Sequence, residues 1–192
     1  GKPILVLGDS ISAAYGMSLE QGWTALLEQE LQEEWPDSTV INASISGDTS
    51  AGGLRRLPVL LEEYEPQLLV LELGGNDGLR GYPIARIRGN LARMVALARE
   101  AGARVLLVGM HIPPNYGARY TEAFHATYRE IAERDGVALV PFLLEGVATD
   151  AALMQGDGIH PTAAAQPLLL ENLWPMLLAL LEDAGATATA AR

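Results

Sequence analysis

Near the start of the chain stands Pro3-Ile4-Leu5-Val6-Leu7-Gly8-Asp9-Ser10, an apolar run that stops abruptly at a glycine, an aspartate and a serine. Four consecutive large apolar residues, without polar alternation, read as a strand buried on both faces. The pattern recurs. Ile4–Leu7, Val40–Ala43, Leu68–Leu73, Val105–Met110 and Ala138–Phe142 are the expected strands. Helical spacing fills the gaps, at Trp23–Glu34, Gly52–Tyr64, Ile84–Ala101 and Thr121–Asp135. A last helix is expected from near Pro161, at its first turn, to about Glu182. Strand and helix in alternation predict an α/β protein, a three-layer α/β/α sandwich around a five-stranded parallel sheet. No linker or internal repeat interrupts residues 1–192, so one domain is expected, with a tail from about 183 that frays.

In such a sheet, ligands bind outside the carboxyl ends of the strands. The residues just after each strand are therefore the informative ones. They are Gly8-Asp9-Ser10, then Ser46-Gly47-Asp48, then Gly74-Gly75-Asn76-Asp77, then His111 with Pro113, and finally Asp157-Gly158-Ile159-His160. Ser10 is a candidate nucleophile, but a serine hydroxyl is weak until a base takes its proton. The chain has three histidines. His125 falls within a helix beside Glu122 and Arg129 and reads as a solvated residue. His160 and His111 both reach the rim. His160 is favoured as base, because Asp157 stands three residues before it and can orient the imidazole. A capping turn is the alternative reading of Asp157 and His160. Candidate donors for an oxyanion are the Ser10 N–H, the Gly47 backbone and the Asn76 side chain.

Bulk properties narrow the class. Hydrophobic content of 49% and charged content of 19% suit a full core. A net charge of -11 argues against nucleic acid as a partner. No run of eighteen apolar residues occurs, because Glu171, Asn172 and Pro175 break the richest stretch, and no stable membrane insertion is expected. The absence of cysteine excludes thiolate chemistry and Cys-based zinc sites. The chain begins at Gly1, not at Met, and is expected to be a trimmed form. G-x-S-x-G, G-x-G-x-x-G and the P-loop signature are all missing, which argues against the common nucleophile elbow and against nucleotide binding.

Gly8-Asp9-Ser10-Ile11-Ser12, Gly47, Gly75-Asn76-Asp77 and Asp157-Gly158-Ile159-His160 together resemble the four sequence blocks of the SGNH (GDSL) hydrolases. Asn42 to Ser50 and Leu73 to Gly81 further resemble the bacterial multifunctional thioesterase, protease and lysophospholipase subgroup. The resemblance covers residues 3 to 182. It implies a flavodoxin-like strand order and a serine esterase acting on carboxylic esters, acyl thioesters and lysophospholipids. Ser10, Asp157 and His160 would form the triad, and Ser10, Gly47 and Asn76 the oxyanion hole. No cofactor or metal is implied. Asp9, Leu79, Arg80, His111, Ile112, Pro113 and Tyr116 are expected to contact substrate, with Gly78 to Gly81 a mobile loop beside the acyl groove. His111 departs from the pattern, standing where an arginine is frequent. The resemblance also implies a periplasmic or secreted protein, with a cytoplasmic one as the alternative, and a monomer is expected. Two rivals remain. One is a carbohydrate O-deacetylase of the same fold. The other is a Mg-dependent phosphoryl-transfer or receiver-like domain built on Asp9, Asp48 and Asp77.

Overall fold

A computed structural model describes residues 2–190. The strands are β1 (Ile4–Gly8), β2 (Val40–Asn42), β3 (Leu68–Glu72), β4 (Arg104–Val108) and β5 (Ala138–Val140). The helices are α1 (Trp23–Glu34), α2 (Ser50–Tyr64), α3 (Gly75–Leu79), α4 (Ile84–Glu100), α5 (Ala118–Asp135) and α6 (Gln166–Ala190). All strand pairs are parallel, in the order β2-β1-β3-β4-β5. Helices α1 and α6 pack together on one face of the sheet, while α2, α4 and α5 pack in sequence on the other. This is the α/β sandwich expected, with the flavodoxin-like order that the resemblance implied.

The core explains why the strands read as unbroken apolar runs. Ile4 to Leu7, Leu69 to Leu71 and Leu106 to Val108 are wholly inaccessible to solvent. Only a strand covered on both faces buries consecutive side chains. The strand order reverses between β1 and β3, since β2 lies on one side of β1 and all later strands on the other. The crevice at that switch point is where such sheets hold ligands. β1 and β3 also share the longest register, from Ile4 opposite Leu68 to Gly8 opposite Glu72.

Several boundaries differ from expectation for identifiable reasons. β5 stops at Val140 because Pro141 has no N–H to continue the ladder. β4 stops at Val108, and Gly109 then passes so close to β5 that a Cβ there would lie 2.2 Å from the Pro141 carbonyl oxygen. Pro161 does not begin the last helix. It pairs with Met154 in an isolated antiparallel bridge, and α6 starts only at Gln166 after a short 3-10 turn, Ala163–Ala165. The residue before a proline avoids the helical region, so His160 stays outside the helix. Of the tail expected to fray, the backbone continues α6 to Ala190, and residues 191 and 192 lie outside the described residues. Residues 163–183 are long and apolar enough by composition to cross a membrane. Here, however, Leu169, Leu173, Leu177 and Leu181 are buried in the core, the repeat of an amphipathic helix face.

The close approach at Gly109 yields a direct test. Gly109→Ala should lower unfolding free energy by about 1–3 kcal/mol, because the backbone of both strands must shift. Gly89→Ala, where nothing lies within 4 Å of the added methyl in α4, should be neutral or stabilising. Urea denaturation of the two variants and the parent measures both effects.

Candidate active site

Chain geometry brings the rim residues together around Ser10. The turn after β1 is held by Asp9, whose Oδ1 accepts the Ile11 N–H at 3.0 Å. Ser10 is 9% exposed, and its Oγ lies 3.0 Å from Nε2 of His160, a residue 150 positions away. The other ring nitrogen of His160, Nδ1, lies 2.5 Å from Asp157 Oδ2. Asp157 Oδ1 meanwhile accepts the N–H groups of Ile159 and His160 at 2.9 and 3.0 Å. These contacts hold the Asp157 carboxyl at about 2, below its ordinary 3.8, with the His160 hydrogen bond the largest cause. With one ring nitrogen fixed by a carboxylate, the other is free to accept a proton from the Ser10 hydroxyl.

The histidine turn has further supports. The Gln155 N–H donates to the His160 carbonyl at 2.7 Å. Its side-chain amide donates to the carbonyls of Tyr15 and Pro161, both at 2.9 Å. Gln155 thus ties the segment after Ser10 to the segment carrying His160. The Tyr15 ring lies against the His160 ring with centroids 4.2 Å apart. Neither Gln155 nor Tyr15 carried a sequence signal, because both act through long-range placement.

On the opposite side, Asn76 lies in the first turn of α3, which follows Gly74, whose φ of +111° is a left-handed conformation that favours glycine. A Cβ at Gly74 would also meet the Tyr128 hydroxyl at 2.4 Å. The Asn76 amide donates to the Asp48 carbonyl at 2.8 Å, tethering the loop that contains Gly47. Gly47 has a φ of +81°, and nothing lies within 4 Å of where its Cβ would sit. Backbone conformation, not crowding, is what favours glycine there.

A cavity of about 420 Å³ adjoins Ser10. Of the expected substrate contacts, Asp9, Leu79, His111, Ile112 and Pro113 reach its wall. Arg80 and Tyr116 do not. Arg80 is exposed to solvent, and the Tyr116 hydroxyl donates to the Leu79 carbonyl at 2.7 Å. Asp9 is only 3% exposed, so its carboxyl serves the turn more than the cavity. The wall also recruits Met110, Phe142, Leu144 and Met154. Of the segment Gly78 to Gly81, Gly78 and Leu79 close the short helix α3, and Gly78 is buried where a Cβ would strike Phe124 and Ile112.

His125 is not a solvated residue. Its ring stacks on His111 with centroids 3.5 Å apart, and its Nδ1 lies 3.1 Å from the Met110 carbonyl oxygen. Burial, and then His125, lower the pKa of His111. His111 also meets Phe142 edge-on at 4.6 Å, which makes it part of an aromatic cluster in the cavity wall, while the ring in contact with Ser10 Oγ is that of His160.

The aspartates after the first three strands do not converge. Asp48 pairs with Arg56 at 2.6 Å, Asp77 accepts the Ser50 N–H and hydroxyl at 2.8 Å each, and Asp9 holds Ile11. Among the described residues, no three of His, Cys, Asp and Glu form a group that could hold a metal ion.

Comparison with known proteins gives the family. Residues 6–167 match the profile of the GDSL-like Lipase/Acylhydrolase family. Esterase TesA of Pseudomonas aeruginosa is 60% identical over 178 residues, which are 93% of this chain and 89% of that protein. Thioesterase 1/protease 1/lysophospholipase L1 of Escherichia coli K12 is 45% identical over 88% of this chain and 79% of its own. A crystal structure of TesA superposes with a TM-score of 0.91 at 59% identity, covering 93% of this chain and 99% of that one. The chain belongs to the GDSL-like lipase/acylhydrolase family and is a hydrolase of ester bonds.

Because folding lowers the Asp157 pKa from 3.8 to about 2, its contribution to stability is present above the unfolded value and is lost as pH falls through the folded one. The melting temperature of the parent should therefore exceed that of Asp157→Asn above about pH 4, and the gap should close towards pH 2. Thermal melts across that range check the sign.

Proposed function

We propose that Ser10 is the nucleophile, His160 the general base and Asp157 the orienting acid of an acyl-transfer reaction that hydrolyses esters and thioesters. The observation that carries this reading is the continuous line of contact from Ser10 Oγ to His160 Nε2 and from His160 Nδ1 to Asp157 Oδ2. In the first step, Ser10 Oγ bonds to the acyl carbonyl carbon as its proton passes to Nε2. The carbonyl oxygen becomes an oxyanion, facing the Ser10 N–H, the Gly47 N–H and the Asn76 amide. Collapse expels the alcohol or thiol, which takes the proton back from Nε2 and leaves an acyl-enzyme. Water then repeats the sequence and frees the acid.

The apolar wall of Met110, Ile112, Leu144 and Met154 favours an acyl chain over a sugar. That supports fatty acyl thioesters and lysophospholipids as substrates, in line with the name of the Escherichia coli relative, together with aryl esters, and disfavours a carbohydrate deacetylase. No step calls for a cofactor. A monomer, working in the periplasm or outside the cell, is the form we propose for it.

A fluorophosphonate probe should label Ser10, and Ser10→Ala should lose labelling and nearly all turnover while staying folded. Labelling elsewhere, or loss of activity to EDTA, would refute the assignment. Asn76→Ala should lower kcat by about 10²–10³ through loss of an oxyanion donor. Ala148 lies in the cavity wall and is exposed. Ala148→Trp should shift preference within a series of p-nitrophenyl esters from longer towards shorter chains.

A further inference from the structure

Among the described residues, Glu72 is a buried ionisable group that the reaction leaves without a task. Glu72 ends β3 directly opposite Gly8, and its side chain is wholly inaccessible. Oε1 accepts the Ser12 hydroxyl at 2.7 Å. Oε2 is buried without a hydrogen-bond partner of good geometry, although the backbone N–H of Asp9 faces the Glu72 carboxyl. The Asp9 carboxyl lies within hydrogen-bonding reach of Glu72, and Asp9 is itself only 3% exposed. Both carboxyls grip the turn that presents Ser10, since Asp9 holds the N–H of Ile11 and Glu72 holds the hydroxyl of Ser12.

Two buried carboxylates at hydrogen-bonding distance cannot both be charged without heavy cost. The groups around them do not supply the missing positive charge. Asp48 comes from the loop before α2, Asp77 from α3 and Tyr128 from α5. Beyond the Ile11 N–H, the His160 ring is a neighbour that favours the ionised form of Asp9. A proton on the orphaned oxygen would resolve both the repulsion and the unsatisfied atom.

We propose that Glu72 and Asp9 share one proton at neutral pH, and that through it Glu72 is a positioning residue for the nucleophile turn. Glu72 carries the proton on Oε2 and donates it to the Asp9 carboxylate. Asp9 then remains an acceptor for Ile11, and Glu72 Oε1 for Ser12. Burial supports this distribution, pushing Asp9 up to about 6 and Glu72 well above the ordinary carboxylate range. At alkaline pH the proton leaves to solvent, two carboxylates face each other beneath Ser10, and the turn loses its setting. An alkaline decline in kcat follows that belongs to neither Asp157 nor His160.

The kinetic half of this inference rests on Ser10 being the nucleophile; the shared proton does not. Carbon NMR of the chain labelled at the glutamate carboxyl should find one glutamate still protonated at pH 7, with its signal missing from Glu72→Gln. Glu72→Ala should lower kcat by about tenfold or more with KM little changed, as expected for a lost hydrogen bond to a charged group. Glu72→Gln can both donate to Asp9 and accept from Ser12, so it should rescue most of the kcat lost in Glu72→Ala and should lack the alkaline decline. A parent in which every glutamate is ionised at pH 7 would overturn the shared proton. Parent-like kcat in Glu72→Ala, or a parent-like alkaline decline in Glu72→Gln, would overturn the positioning role. The second of these measurements decides the matter should the alanine variant fail to fold. Failure of Ser10 labelling would sink the functional reading and leave the NMR result standing.

Discussion

The pairing of β1 with β3 is the constraint on which the site depends. Their register runs to the last residue, Gly8 against Glu72, and places two chain turns side by side. One turn carries Ser10 and the other leads to Asn76. Because the sheet order reverses there, no crossover helix covers the gap between them. Gly8 is required by the same closeness, as a Cβ on it would lie 2.8 Å from both Glu72 Oε1 and Ser12 Oγ. A bulkier residue at Gly8 would displace the Glu72 carboxyl and the Ser12 side chain that hold the turn carrying Ser10.

Asp9 and Asp157 are chemically the same side chain, yet the fold drives them in opposite directions. Asp157 is 38% exposed at its side chain and faces an imidazole and two N–H groups, so its charge is favoured. Asp9 is enclosed beside another carboxyl, so its charge is opposed by burial. In the proposed reaction, the first is suited to stabilising an imidazolium that forms and vanishes during turnover. The second is suited to holding a turn still. A nucleophile needs both: a partner that responds to charge and a support that does not move.

Sequence alone made much of this legible, for reasons visible in particular residues. The buried strands announced themselves because a two-sided core removes alternation, as in Leu68-Leu69-Val70-Leu71. The rim residues followed, since strand ends define the ligand edge. Asp157 and His160 were readable because their coupling is local, three residues apart. What stayed hidden was whatever depends on distant placement. His125 looked solvated on its helix, and only packing showed it stacked on His111. Gln155 looked like an ordinary loop residue, yet its amide reaches Tyr15. Glu72 did leave a trace, as a lone carboxylate inside an apolar run, and a lone charge in a buried strand calls for a partner. Pro161 misled because proline suits a helix start, while the bridge with Met154 used it differently.

The aspartates along the rim illustrate how chemistry is set by partners more than by composition. Three of them follow three adjacent strands, a distribution that would suit a divalent cation if their oxygens met. They do not meet, because each is engaged by a different neighbour before it can face the crevice. Arg56 neutralises Asp48 and also donates to the Ala43 carbonyl, which locks the loop that presents Gly47. Ser50 uses both oxygens of Asp77 to join α2 to α3. Asp9 turns to Ile11 and Glu72. Each carboxyl thus fixes one of the loops that frame Ser10, and the acidity of the rim becomes scaffolding for a serine and not a cradle for an ion.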